Sequence, residues 1–234
     1  MKQENYIRGM IMIILSAFFF ACMNVSVRLA GDLPSVQKSF FRNLVAAFFA
    51  AIILIKNHTA PKVEKTQWGS LFLRCAFGTL GILCNFYAID HLLVADASIL
   101  NKLSPFFAII FSFLLLKEKV KPAQAMCVIL AFVGCLFVVK PGFENAHLIP
   151  ALIGVCGGLG AGIAYTMVRK MGTHGVKGPV IVFYFSCFSC IIVIPWIVFH
   201  YQPMSLRQLL TLFLAGLFAA GGQFTITAAY TYAP

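Results

Sequence analysis

"VRLAG" at residues 27–31 returns as "VRKMG" at residues 168–172, so one V-R-x-x-G pattern occurs twice at an offset of 141 positions. When the chain is aligned with itself at this offset without a gap, eleven positions are identical over about 60. Eleven identities are modest in an apolar chain, but the apolar runs and their connectors align as well. The first three runs then correspond to the last three, which predicts an internal repeat.

The composition is that of an integral membrane protein. Of the 234 residues 61% are hydrophobic and 11% charged, and the mean hydropathy is +0.91. Soluble domains are about half apolar and about a quarter charged, and a soluble core of this length could not bury so much apolar surface. The net charge of +11 does not indicate nucleic acid, because Lys and Arg lie mainly in short connectors between apolar runs. We therefore expect the lipid bilayer as a partner and no nucleic acid.

Each long apolar run is predicted to be a membrane-spanning helix. A bilayer core about 30 Å thick requires about 20 helical residues, and backbone in lipid must satisfy its own hydrogen bonds. The first run lacks a signal-peptide cleavage site and is expected to remain as a span. The predicted fold is all-α and transmembrane, a polytopic bundle of about eight spans near residues 9–29, 36–55, 69–89, 94–116, 123–139, 149–168, 179–199 and 208–232.

The distribution of Lys and Arg predicts the orientation. If the N-terminus is cytoplasmic, the inner segments hold eleven of the 18 Lys and Arg residues and the outer segments hold four. Positive residues concentrate on the cytoplasmic side of membrane proteins. We therefore expect a multi-pass protein of the plasma (inner) membrane with its N-terminus inside.

Five spans separate the two copies of the pattern, and because five is odd the second copy enters the membrane upside down. Inverted repeats are typical of secondary transporters, in which the binding site lies near the midplane between the halves. We expect a first repeat at residues 1–142 with about five helices and a second at 147–234 with about three. Counterparts of the fourth and fifth spans would fall near 235–280. These two helices are missing from the 234 residues, so we expect a truncated sequence. The missing helices would then be supplied either by the remainder of a full-length chain or by a partner chain such as a second copy.

Three stretches carry a resemblance to a known family. They are "NFYAIDHLLVADASILNKLSPFFAIIFSFLLLKEKVKPAQ" at residues 85–124, "FFRNLVAA" at 40–47 and "GCLFVVKPG" at 134–142. Together they resemble the third and fourth helices, the second helix and the end of the first half in the EamA family of the drug/metabolite transporter superfamily. The resemblance covers the whole chain and implies ten helices and a transport function. It identifies no substrate.

Charged residues inside spans are the first candidates for a substrate site, because an isolated charge in the bilayer is costly. Lys102 lies eight residues into its span beside Asn101, and Pro105 breaks the helix next to them, so we expect Lys102 to face a cavity. Arg42 lies deep enough either to line a cavity or to pair structurally. Arg74 lies closer to a membrane surface, where snorkelling to the headgroups is the expected role.

Polar and aromatic residues inside spans form a second group of candidates. Either they line a pocket or they form interhelical hydrogen bonds. The full set predicted for substrate binding is Lys102, Asn101, Arg42, Asn24, Tyr87, Tyr165 and Gln223.

The predicted function is secondary transport of a small metabolite, an amino-acid-like or drug-like solute, by alternating access. The alternative is a truncated, non-transporting membrane subunit or fragment that needs a partner chain. We expect no enzyme, because the predicted spans contain no His and no Glu for catalysis at depth. We also expect no cofactor and no metal, because neither the Cys nor the His residues show metal-ligand spacing.

Overall fold

The computed structural model describes residues 2–117, 119–120, 122–139 and 148–232. These ranges form nine α-helices and, before α3, one 3-10 turn at Lys65–Gln67. The helices are α1 (Lys2–Leu29), α2 (Ser35–Lys56), α3 (Trp68–His91), α4 (Val94–Asn101), α5 (Ser104–Leu116), α6 (Pro122–Val139), α7 (Leu148–Thr173), α8 (Gly178–His200) and α9 (Leu206–Tyr232).

Seven segments of the described chain are long and apolar enough to cross a membrane, and α4 together with α5 counts as one of them. The remaining predicted span lies on α6, which has 18 residues. Large apolar side chains cover the outer surface, where Ile14, Phe113 and Phe199 are each more than half exposed. A surface of this kind requires lipid around it. The prediction of a multi-pass, all-helical membrane protein is therefore confirmed.

Close backbone contacts hold the bundle together along three helix pairs: α1 packs along α9, α3 along α7, and α2 along α8. Glycines make the α3–α7 contact possible. A Cβ atom added to Gly160 would lie 2.8 Å from the carbonyl oxygen of Phe77, and one added to Gly81 would lie 3.1 Å from the backbone nitrogen of Ala161. Small residues permit this approach, which is the usual means of packing helices in lipid.

The buried apolar residues form several clusters between these pairs. One lies where α1, α3, α4 and α9 meet and includes Met23, Phe86 and Ala219. Another lies between α3, α7 and α8 and includes Leu71, Met171 and Phe185. The cavity described below is lined in part by buried polar side chains, among them Arg42, Arg74 and Gln223.

The predicted fourth span is broken between α4 and α5. The break falls at Lys102 and Leu103, and Pro105 lies in the first turn of α5, where its missing N–H is not needed. On α7, a Cβ atom at Gly158 would lie 2.8 Å from the carbonyl oxygen of Leu100. The break is thus packed tightly against a glycine of α7.

Polar contacts sort the connectors onto two opposite faces of the bundle. On one, the Asp90 face, the α1–α2, α3–α4 and α8–α9 connectors meet: Ser35 Oγ donates to Asp90 Oδ2 at 2.7 Å and Gln208 Nε2 donates to the carbonyl oxygen of Ala30 at 3.2 Å. On the other, the Lys177 face, the α2–α3 and α7–α8 connectors meet, and Lys177 Nζ donates to Thr59 Oγ1 at 3.3 Å. The predicted boundary between repeats, at residues 142–147, lies outside the described residues.

Candidate functional site

A cavity of about 50 Å³ lies between α1, α2, α3, α4, α7, α8 and α9. Every long helix of the described bundle except α5 and α6 contributes to its wall. Its lining consists of Phe20, Met23, Arg42, Arg74, Gly78, Gly81, Ile82, Asn85, Phe86, Asn101, Ala161, Ala164, Tyr165, Phe185 and Gln223. Concave sites with an apolar wall and a few convergent polar groups are typical of small-molecule binding.

Arg42 lies in the second turn of α2 and is 1% exposed. Its Nη1 donates to Asn43 Oδ1 at 2.6 Å, and Asn43 Nδ2 in turn donates to the carbonyl oxygen of Ser39 at 2.9 Å. The Nε of Arg42 is buried without an acceptor. This side chain is held in place by a neutral amide, which leaves most of its hydrogen-bond donors and its whole charge uncompensated.

Arg74 lies in the second turn of α3 and is also 1% exposed. Its Nη2 donates to Gln223 Oε1 of α9 at 2.9 Å, and its Cζ lies 3.8 Å from the centre of the Phe185 ring on α8. Gly78, one turn further along α3, leaves the space that the guanidinium occupies, because a Cβ atom there would overlap Arg74 Nη1. The expectation that Arg74 snorkels to the headgroups is therefore wrong.

The two guanidinium groups lie close to each other and to no carboxylate. The Cζ of Arg42 lies 5.9 Å from the centre of the same Phe185 ring, so the two Cζ atoms are less than about 10 Å apart. Among the acidic residues whose side chains the structure describes, none lines the cavity; these are Asp32, Glu64, Asp90 and Asp96. In the described part of the chain, the Phe185 ring and neutral amides thus provide the main stabilisation of both charges.

Neutral polar groups complete the wall. Asn85 Oδ1 is buried without a donor, and Asn101 lines the cavity at the last residue of α4. The ring of Tyr165 stacks on that of Tyr230, with centroids 5.2 Å apart. Such groups supply hydrogen bonds at low charge, so the net charge of the described lining is positive.

The structure brings four of the seven predicted residues together in this cavity: Asn101, Arg42, Tyr165 and Gln223. It places Lys102 elsewhere, which corrects the expectation that this residue faces the cavity. The side chain of Lys102 is exposed, because neighbouring residues of a helix point about 100° apart and Asn101 occupies the side that faces the cavity.

The other two predicted residues also lie outside the cavity. Asn24 is buried and its Nδ2 donates to Ser98 Oγ at 3.1 Å, so it joins α1 to α4. Tyr87 stacks on His91, with ring centroids 4.0 Å apart, and lines a depression on the Asp90 face. Asn24 thus joins two helices, whereas the stacking of Tyr87 on His91 lies within α3.

Arg74, Asn85 and Phe185 line the cavity but are absent from the predicted set. One sequence signal could have identified Arg74: a glycine four residues later, Gly78, lies on the same helix face and leaves room for a long side chain. Phe185 gives no such signal, because one Phe among 24 cannot be distinguished by type.

The fold and the cavity are those of a membrane transporter, and comparison with known proteins identifies the family. The model of the EamA-like transporter family matches residues 7–140. The chain belongs to this family. The predicted resemblance is thereby confirmed.

Related proteins are transporters as well. The pseudopaline exporter CntI of Pseudomonas aeruginosa is 31% identical over 229 residues, which cover 96% of this chain and 78% of that protein. Human solute carrier family 35 member G1 is 27% identical over 94% of this chain and 64% of its own length. A solved crystal structure superposes with a TM-score of 0.71 at 13% identity, covering 97% of this chain and 78% of that one, which supports the fold alone.

Proposed function

We propose that this protein is a carrier for a small anionic metabolite, which it binds in the central cavity and releases on either side of the membrane in turn. The observation that carries the proposal is the pair of buried guanidinium groups, Arg42 and Arg74, with no carboxylate among the described lining residues. Arg is permanently charged and matches carboxylate geometry. For the direction of transport we favour export over import, because the relative from Pseudomonas aeruginosa is named as an exporter.

The proposed scaffold is the inverted repeat, and corresponding contacts support it. Gly81 of α3 faces Ala161 of α7, and Gly222 of α9 faces Phe20 of α1. Adding 141 to the residue numbers Gly81 and Phe20 gives Gly222 and Ala161, so the two contacts are counterparts. The α3–α7 and α1–α9 pairs, which bring the halves together, would then be related by the same internal two-fold axis.

The proposed orientation places the Lys177 face in the cytoplasm. Lys62, Lys177 and Glu64 line one depression there, so its lysines outnumber its carboxylate, in agreement with the excess of positive charge expected on the inner side. The V-R-x-x-G patterns would then lie on opposite sides. Cysteines introduced singly at Asp32 and His174 test this: an impermeant thiol reagent applied outside intact cells should label the first after background subtraction and spare the second.

The proposed mechanism is alternating access by rocking of one half against the other. In the described conformation polar contacts join the two halves at the Asp90 face: Gln37 Nε2 donates to the carbonyl oxygen of Gln202 at 2.8 Å, and Gln208 Nε2 donates to that of Ala30 at 3.2 Å. Separation of the two halves at this face would open the cavity on that side. The bound anion would leave by that route once the Arg side chains are hydrated.

Metabolite profiling of cells that express the chain tests the proposed function. We expect at least one anionic metabolite to change in extracellular concentration with the wild-type chain and with Lys102→Gln, the matched control for an exposed cation. Arg42→Gln and Arg74→Gln should each abolish that change at equal membrane abundance. If the affected metabolites are neutral or cationic, or if all four proteins behave alike, the proposed function is wrong.

A second candidate is a subunit that transports only with further helices, and one face of α1 favours it. On α7, Gly154, Gly158 and Gly162 receive α4 and α5. Their counterparts at the 141-residue offset are Ile13, Ala17 and Ala21, and of these Ile13 and Ala21 are exposed. Transport of the anionic metabolite into proteoliposomes that contain this chain alone would contradict this candidate. Flux only after addition of a helical hairpin in trans would support it.

A further inference from the structure

The central cavity contains two permanent charges of the same sign. Arg42 and Arg74 cannot lose their protons in a protein, and both are almost completely buried. Tyr165 is the other titratable side chain of the described lining, and it is neutral at physiological pH. Two negative charges are therefore needed to neutralise the empty cavity, and a singly charged solute supplies only one of them.

The two arginines enter the cavity from opposite sides of the membrane. α2 begins at the Asp90 face and Arg42 is its eighth residue, so its Cα lies about 10 Å inside that helix end. α3 begins at the Lys177 face and Arg74 is its seventh residue, about 9 Å inside. Their guanidinium groups approach the Phe185 ring, and the Cζ atoms come within about 10 Å of each other.

Each guanidinium retains donors for an acceptor of its own. Arg42 uses Nη1 for Asn43, which leaves its Nε and Nη2 without an acceptor in the described structure. Arg74 uses Nη2 for Gln223, and its Nε has no acceptor. The two side chains are held by different residues, Asn43 of α2 and Gln223 of α9, so each guanidinium is positioned independently of the other.

We propose that the cavity binds an organic solute with two carboxylates, one at Arg42 and one at Arg74. This inference rests on the proposed function and narrows it to a substrate class. The solute also carries an N–H or O–H group that donates to Asn85 Oδ1, which is buried without a donor. At Arg74 the carboxylate takes the place of Gln223 Oε1, a neutral acceptor for the same Nη2.

Equilibrium binding of simple acids to the 234-residue chain in nanodiscs tests the proposal. The probes are butyrate with one carboxylate, malonate, succinate and glutarate with two, and inorganic phosphate as a compact dianion. In the wild-type chain we expect the best dicarboxylate to bind at least about 10-fold more tightly than butyrate, as one additional charge-assisted pair provides. In Arg42→Gln and Arg74→Gln that advantage should fall below about 2-fold, and in Lys102→Gln it should remain.

The series on the wild-type chain needs no variant to fold, so it decides the proposal by itself. Equal binding of butyrate and every dicarboxylate to the wild-type chain overturns the two-carboxylate inference. If that binding is lost in both Arg variants, the proposed function stands. Phosphate binding as tight as that of the best dicarboxylate overturns the inference in favour of a single compact dianion. Failure of every anion to bind the wild-type chain overturns the proposed function as well.

Discussion

Replacement of Gly78 by Ala would displace the Arg74 guanidinium without removing it. The added Cβ atom would overlap Arg74 Nη1 and lie 2.8 Å from Cε2 of Phe185. Both contacts involve the ends of side chains and not the backbone, so the helix can accept the methyl group while Arg74 moves. We therefore expect a folded protein in which the guanidinium of Arg74 is displaced from its position in the binding site.

The expected magnitudes follow from the contacts of Arg74. Its hydrogen bond to Gln223 is of the charged kind, worth about 1.5–3 kcal/mol, and its position over the Phe185 ring adds about 0.5–2 kcal/mol. Replacement of Gly by Ala inside a helix returns about 1 kcal/mol. The variant should thus be destabilised by about 1–4 kcal/mol. Loss of one charge-assisted pair to a bound carboxylate should weaken binding by about 10- to 150-fold.

Gly69→Ala is the matched control, because a Cβ atom at Gly69, on the same helix, has nothing within 4 Å. Gly69 lies in the first turn of α3, so its gain in helix propensity is no larger than that at Gly78. The assays are thermal unfolding in detergent and equilibrium binding of succinate in nanodiscs. Gly69→Ala should bind succinate as the wild-type chain does and unfold at the same temperature or slightly higher.

Two results would refute this reasoning. If Gly78→Ala binds succinate within 2-fold of Gly69→Ala, the position of Arg74 does not control the affinity. If both variants lose binding equally, the loss comes from α3 as a whole and not from the guanidinium.

Two further substitutions test the packing. Asp90→Asn should destabilise the protein by about 3–5 kcal/mol, because Lys38, 1% exposed, then keeps a buried charge without a counterion. When Lys38→Met is added to Asp90→Asn, thermal unfolding should show that most of the lost stability returns. If Asp90→Asn alone unfolds at the wild-type temperature, the ion pair does not have this role. Gly160→Ala should cost about 1–3 kcal/mol, because its Cβ would press on a backbone carbonyl of α3. Gly134→Ala, with nothing within 4 Å, is its control, and equal unfolding temperatures would show that α3 and α7 do not require the glycine.

The sequence was sufficient to predict the helices because the bilayer limits the possible structures. The predicted spans 36–55 and 179–199 differ from α2 (Ser35–Lys56) and α8 (Gly178–His200) by one residue at each end. The break in the fourth span follows from Pro105, whose ring prevents a continuous helical ladder. Apolar runs and breakers act locally, and local signals can be recognised in one sequence.

The site was predicted only in part because it depends on helix rotation. Asn101 and Lys102 are neighbours, yet they point about 100° apart on a helix, so packing against α7 decides which one faces the cavity. Arg74 was misjudged for a similar reason. Its distance from the helix end suggested snorkelling, whereas Gly78 and the Phe185 ring on another helix provide a place for it inside. Contacts between distant helices are not encoded in a local pattern.

The scaffold proposed to be symmetric carries an asymmetric charge distribution. At the offset of 141 residues, the counterparts of Arg42 and Arg74 are Phe183 and Ala215, so the first half supplies both cations and the second supplies none. Four like charges in one cavity would repel one another strongly at low dielectric, whereas two can be neutralised by one solute. Because Gln223 belongs to the second half and accepts from Arg74 of the first, rocking of the halves would separate this pair. Under the proposed mechanism the anion and the Gln223 amide would compete for one guanidinium, so binding of the anion would itself favour movement of the halves.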